Sequence, residues 1–244
     1  MNTNRYFKEK RAGHAHRVRL FCFPYAGGNS SIYKDWEKEL DRDISLVTVH
    51  LKGRMERMGE EAVNEMSLLV DELYENIKGF LDEPFVFFGH SLGGLVAFAL
   101  LERIEKLTDK KAECIIVSAS KAPHIYAQNK ILDYSDEALT KKIKDYGNTP
   151  DYVLESKELM EMILPTIRAD YQVLDSYDSC DEKALSSKVV VFNCEDDVKK
   201  EVSLQWQKCF INRCSYVRFE EGHFFINAQR EKIITEVNRA LKED

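Results

Sequence analysis

The chain has 244 residues and a mass of 28.3 kDa, enough for one sizeable α/β domain with a proper core, since 44% of its residues are hydrophobic. A formal net charge of −7 argues against nucleic acid as a partner, because phosphate binding needs a basic surface. The longest apolar run, 92–101, is far short of the about 18 residues of a membrane span, so no membrane partner is expected.

Residues 1–17 are charged and lack the apolar segment of a secretory signal; they read as a flexible N-terminal arm. The six cysteines (Cys22, Cys114, Cys180, Cys194, Cys209 and Cys214) form no C-x-x-C pair and have no histidine cluster at zinc spacing. Cys22, Cys114 and Cys194 fall inside strand-like runs and read as small buried hydrophobes. A reduced, cytoplasmic setting and no bound metal or cofactor are the expectation.

From residue 18 onward, short apolar runs alternate with amphipathic ones. Strands are predicted at 18–23, 45–51, 84–88, 114–118, 188–193 and 216–219, and helices at 31–40, 64–81, 92–107, 201–210 and 224–241. Several strands are continuously apolar, which suits a mostly parallel, doubly wound sheet buried on both faces. This order divides the chain into a first core part at 18–120, an insertion at 121–187 and a second core part at 188–244. The insertion is too long for a simple connection and must have its own structure. Ser135 and Ser156 read as helix N-caps, Gly147 as a C-cap, and Pro165 as a break or kink. Ile167, Tyr171, Leu174 and Tyr177 continue an apolar stripe at helical spacing. The insertion reads as a helical lid whose apolar face lines a hydrophobic channel.

The strand at 84–88 runs into Gly89-His90-Ser91-Leu92-Gly93 and then directly into a helix. Strand, sharp turn with a serine between small residues, then helix is the arrangement that lifts a hydroxyl clear of a sheet as a nucleophile. A serine hydroxyl needs a base, and the base an orienting acid, in the chain order Ser, acid, His for α/β-hydrolases. Only His124 and His223 follow Ser91. His223, beyond the last strand and after Gly222, is the expected base. The strand at 188–193 is followed at once by Glu195, Asp196 and Asp197; all three qualify as the acid, and register favours Asp197. The oxyanion needs preorganised N–H donors. The backbone amide of Leu92, at a helix N-terminus, is one candidate. The loop Phe23-Pro24-Tyr25-Ala26-Gly27-Gly28 should supply the other, at Ala26.

These blocks together resemble the type II thioesterases, the stand-alone partners of nonribosomal peptide and polyketide synthases. The resemblance runs from about residue 18 to the C-terminus. Besides the elbow, it rests on Phe23–Gly28 with Tyr33 and Trp36, on Gly53-Arg54 with Arg57, and on Ala122-Pro123-His124. It also rests on Leu164-Pro165 through Arg168-Ala169-Asp170-Tyr171, on Asp197 with Trp206, and on Gly222-His223-Phe224-Phe225. Lys52 stands where the family usually has proline, and the acid loop lacks its usual glycine near Cys194. The carboxylate-to-Trp206 spacing is one residue short, which keeps Asp196 as an alternative acid.

The resemblance implies an α/β-hydrolase fold with a helical lid and a catalytic set of Ser91, Asp197 and His223. It implies hydrolysis of acyl groups from the phosphopantetheine arm of acyl or peptidyl carrier domains, restoring stalled or misprimed synthases. The arm belongs to the partner, so no cofactor is needed. Binding to the carriers should be transient and the chain a monomer. The same triad would serve a medium-chain acyl-carrier thioesterase of fatty acid synthesis, a carboxylesterase or an acyl transferase. A non-catalytic synthase-binding subunit is the reading from another class.

Overall fold

The computed structural model describes residues 4–10, 16–128, 130, 133–178 and 184–242. Among these residues, seven strands form one sheet in the order β1-β3-β2-β4-β5-β6-β7. They are β1 (Phe7–Glu9), β2 (Val18–Phe23), β3 (Ile44–Val49), β4 (Phe85–His90), β5 (Cys114–Ser118), β6 (Lys188–Cys194) and β7 (Ser215–Phe219). All neighbours are parallel except β1, which runs antiparallel to β3.

The continuous apolar runs have a simple physical cause. Side chains alternate across a strand, so a sheet covered on both faces needs apolar residues at every position. Phe21, Phe23 and Phe87 belong to one buried layer; their chain neighbours Leu20, Cys22, Val86 and Phe88 belong to the other. On the first face pack α1 (Met66–Ile77) and α2 (Leu92–Leu107), the latter buried at every position from Leu92 to Leu101. On the second face lie Tyr33, Trp36 and the C-terminal helices α8 (Phe225–Ala228) and α9 (Arg230–Ala240), with Phe219 and Phe225 stacked at 4.7 Å.

Several expectations are corrected, among them the single helix at 224–241, which is divided at Gln229 into α8 and α9. The N-terminal arm is not wholly flexible, because Phe7–Glu9 forms the edge strand β1 and Phe7 meets Phe21 edge-on at 5.6 Å. The open edge of β3 specifies this pairing, which three residues of sequence could not signal. Residues 31–40 form two 3-10 turns, Ser30–Tyr33 and Trp36–Lys38, rather than one helix. Tyr33 and Trp36 are wholly buried three residues apart, the spacing that a 3-10 turn eclipses, and the Tyr33 hydroxyl donates to the Phe23 carbonyl at 2.7 Å. Residues 201–210 likewise begin as one α turn, α7 (Lys200–Ser203), and end as a 3-10 segment, Leu204–Cys209.

Between β5 and β6 lie α3 (Pro123–Gln128), α4 (Asp136–Tyr146), α5 (Asp151–Leu154) and α6 (Lys157–Ser176). Ser135 caps α4 by accepting from the Ala138 amide, Gly147 ends it at φ 68°, and Ser156 caps α6 by accepting from the Leu159 amide. Helix α6 runs unbroken through Pro165. A proline inside a helix costs about 3 kcal/mol or more. Here the buried stripe Leu164, Ile167, Tyr171 and Leu174 and the bond from Thr166 Oγ1 to the Gly53 carbonyl at 2.8 Å offset it. Of the cysteines, Cys180 lies outside the described residues, as does His14; Cys22, Cys114 and Cys194 are buried and unpaired. No helix among the described residues is long and apolar enough to cross a membrane.

Candidate active site

Ser91 sits between the carboxyl end of β4 and the first turn of α2, at φ 54° and ψ −119°. A non-glycine residue in this region stores about 1–3 kcal/mol of strain and persists only where its surroundings hold it. Two glycines make that possible. A Cβ on Gly89 would lie 2.1 Å from the Gly93 carbonyl oxygen, and one on Gly93 would lie 2.2 Å from the Phe23 carbonyl oxygen. Helix α2 can therefore start this close to β4 and β2 only if both positions lack a side chain. The Ser91 amide donates to the Ser118 carbonyl at 2.7 Å, which fixes the elbow to β5.

His223 lies in the loop after β7, opposite the elbow. Its Nδ1 donates to Asp197 Oδ2 at 2.6 Å, and both side chains are mostly buried. That bond leaves Nε2 as the nitrogen available to a nucleophile. Asp197 follows β6 in a turn closed by the Asp197 and Val198 amides on the Cys194 carbonyl, at 3.1 and 3.0 Å. Of the three adjacent carboxylates, Asp197 is the one brought against His223. Asp196 turns back toward the Cys194 thiol, 4.0 Å away. Ser91, Asp197, His223 and Ala26 line one cavity between the sheet and the lid. The other downstream histidine, His124, sits on α3, where burial and then Lys208 lower its pKa.

His90 completes the framework. It is wholly buried, and burial first, then the nearby His223, pushes its pKa well down. One ring nitrogen, Nε2, lies 2.9 Å from the His223 carbonyl oxygen, and Nδ1 lies 2.9 Å from Ser118 Oγ. A carbonyl can only accept, so Nε2 carries the proton and Nδ1 accepts from the Ser118 hydroxyl. His90 is thus a neutral strut between β5 and the loop of His223. Sequence reading passed over it, because in G-x-S-x-G it occupies a variable position.

Of the two segments expected to supply oxyanion donors, Ala26 lines the cavity and Leu92 directly follows Ser91. Leu92 opens α2, where the first amides lack partners within the helix and the dipole is positive. Ala26 belongs to a turn in which the Gly28 amide donates to the Tyr25 carbonyl at 2.8 Å. The insertion lines the cavity with the aromatic side chains Tyr126, Tyr146 and Tyr171. The Tyr146 ring stands 4.9 Å from the His223 ring, and burial, reinforced by the charge of Asp197, pushes its pKa up to about 12. Lys142 lies 5.2 Å from the Tyr171 ring centroid, and burial lowers its pKa. Tyr146 and Lys142 carried no sequence signal, because their place in the cavity depends on how α4 docks.

Comparison with known proteins agrees with this architecture. Residues 18–241 match the family model for the thioesterase domain. The gramicidin S biosynthesis protein GrsT of Aneurinibacillus migulanus is 28% identical over 245 residues, covering 98% of this chain and 95% of that protein. Among solved structures, the type II thioesterase BorB from the borrelidin biosynthetic cluster has a TM-score of 0.87 at 25% identity, covering 99% of this chain and all of that one. The RedJ thioesterase from the prodiginine pathway in Streptomyces coelicolor has a TM-score of 0.84 at 26% identity, covering 92% of this chain and 86% of its own. With its mostly parallel sheet, helical insertion and serine elbow, the chain belongs to the thioesterase-domain family and has an α/β-hydrolase fold.

Proposed function

We propose that this chain is a serine thioesterase that releases acyl or aminoacyl groups from the phosphopantetheine arm of carrier proteins, editing stalled or misprimed nonribosomal peptide or polyketide synthases. The observation that carries the reading is the 2.6 Å bond from His223 Nδ1 to Asp197 in a cavity shared with the strained Ser91. Likeness to GrsT, BorB and RedJ supports the choice of substrate.

In this reading Ser91 Oγ attacks the thioester carbonyl carbon while its proton passes to His223 Nε2. The imidazolium is stabilised by Asp197. Negative charge on the carbonyl oxygen is met by the amides of Leu92 and Ala26. The tetrahedral species collapses, the carbon–sulfur bond breaks, and the pantetheine sulfur leaves with the proton of His223. Water then gives its proton to His223 and attacks the acyl-serine, releasing the acid and regenerating Ser91. The chemistry requires no metal or cofactor of the enzyme. Both this chain and typical carrier domains are net acidic, so docking uses a local patch and is transient. In this reading the chain acts as a monomer.

The test compares turnover of acyl groups on holo carrier protein with turnover of the matching simple acyl esters and of medium-chain fatty acyl carriers. Faster release from synthase carriers supports the editing role. Faster turnover of simple esters or fatty acyl carriers would replace it with a carboxylesterase or a fatty acid synthesis thioesterase.

A further inference from the structure

Arg54 and Asp170 form a buried, two-pronged ion pair that lies outside the reacting groups. Arg54 Nη2 donates to Asp170 Oδ1 at 2.7 Å and Nη1 to Oδ2 at 2.9 Å. The two residues are 8% and 3% exposed. They come from different parts of the chain: Arg54 from the loop after β3, Asp170 from the middle of the lid helix α6. Such a pair contributes little net stability, because desolvation of both charges offsets their attraction. Its bonding pattern suggests another role.

Both partners grip the loop that carries Ala26. Asp170 Oδ2 accepts from the Gly27 amide at 2.7 Å, and Arg54 Nη1 donates to the Gly28 carbonyl at 2.9 Å. Gly27 is at φ 73°, and a Cβ there would lie 3.0 Å from Ile167 of the same lid helix. These bonds fix the Ala26–Gly27 peptide through its N–H and the Gly28–Asn29 peptide through its carbonyl. The next one upstream, between Tyr25 and Ala26, is fixed by the Gly28 amide on the Tyr25 carbonyl at 2.8 Å. A trans peptide points its N–H opposite to its C=O. Holding the Tyr25 carbonyl therefore sets the direction of the Ala26 N–H. If Gly27 and Gly28 were released, their peptides could rotate and carry the Ala26 amide with them.

We infer that Arg54 and Asp170 are the positioning pair of the oxyanion loop, through which the lid helix holds the Ala26 amide in its catalytic direction. This rests on the proposed role of Ala26 as an oxyanion donor. Neither residue touches the substrate. Their effect is on the transition state, where the oxyanion exists, and not on substrate binding.

The test uses the full chain with Arg54→Met/Asp170→Leu and, separately, Asp170→Asn. The double variant replaces the pair with apolar groups, a change that buried ion pairs often tolerate in stability. Asp170→Asn keeps an oxygen for the Gly27 amide. Readouts are thermal unfolding, kcat and KM on a soluble acyl thioester, and affinity for an aryl boronate, which forms a tetrahedral adduct at Ser91. Complete removal of an oxyanion donor costs on the order of 10²–10³ in kcat, so a misdirected one should cost at least about tenfold. The expected result is that loss in kcat for the double variant and a smaller one for Asp170→Asn. KM should stay near wild type and boronate affinity should fall in step with kcat, while the double variant also loses some unfolding midpoint because the Gly27 amide and Gly28 carbonyl are left without partners. A variant that stays folded with wild-type kcat and boronate affinity overturns the inference, as does a loss confined to the unfolding midpoint. Wild-type turnover that survives Ser91→Ala would instead sink the serine hydrolase reading itself.

Discussion

His90 donates its Nε2–H to the backbone carbonyl of His223 across 2.9 Å, so the residue beside the nucleophile holds the loop of the base. Removing it takes the hydrogen-bond partner from the half-buried His223 carbonyl, a net cost of about 0.5–1.5 kcal/mol. It also frees the His223 loop, and a misplacement near 1 Å can cost about 10²-fold in rate. His90→Ala is expected to lower both kcat and the unfolding midpoint. His90→Gln, which can still donate to the carbonyl, should recover part of each. Steady-state kinetics and thermal unfolding on the same preparations check this.

Acidification should destabilise the fold through the same residue. Burial keeps folded His90 neutral, whereas in the unfolded chain it takes up a proton below its ordinary value of about 6.5. The unfolded state then binds more protons, so stability rises with pH in this window and is lost as pH falls below about 6.5. The slope from one such group is at most about 1.4 kcal/mol per pH unit. Urea unfolding of wild type between pH 5 and 8 should show it, and His90→Gln should flatten it. An unchanged slope in that variant would assign the effect to other groups.

The two neighbouring carboxylates should separate sharply. Asp197→Asn puts an amide where His223 Nδ1 needs an acceptor and favours the wrong tautomer, which lowers kcat on the order of 10⁴-fold. Asp196 faces Cys194, so Asp196→Asn should leave kcat close to wild type. The kcat of both variants on one soluble acyl thioester decides between them.

Glycine substitutions should also divide by environment. Gly93→Ala places a methyl against the Phe23 and Pro24 backbone, which cannot yield, and should abolish soluble protein or activity. Gly147 has positive φ, unlike Gly93, but open space surrounds its missing side chain. Gly147→Ala should cost only about 1 kcal/mol, a shift of about 2–4 °C in the unfolding midpoint. Expression yield and calorimetry of the two variants test the contrast.

How much of this was legible in the sequence follows from the range of the forces involved. Val189-Val190-Val191-Phe192 announced a strand because both faces of β6 are covered, so apolarity along the chain reports burial directly. Ser91 and Gly89 were readable because the elbow is local: a Cβ on Gly89 meets Gly93 within the fixed strand–turn–helix spacing, whereas Gly93 is demanded by the distant Phe23 backbone. Ser135, Gly147 and Ser156 were readable for the same reason, as caps act over a few residues. Phe7–Glu9 was not, because its partner β3 lies 40 residues away and supplies the edge that makes it a strand. Pro165 misled because helix α6 is held by burial and tertiary bonds stronger than the local penalty. Arg54 and Asp170 were visible only as pieces of resembling blocks. Nothing in a separation of 116 residues signals that they meet.

The central claim is that Ser91 carries the acyl group released from a carrier. Intact-mass measurement of acyl-loaded holo carrier protein, incubated with wild type or with Ser91→Ala, tests it most directly. Wild type is expected to return the carrier to its free-thiol mass and to show a transient acyl adduct that maps to Ser91, while Ser91→Ala leaves the carrier loaded. Equal unloading by both proteins would contradict the account.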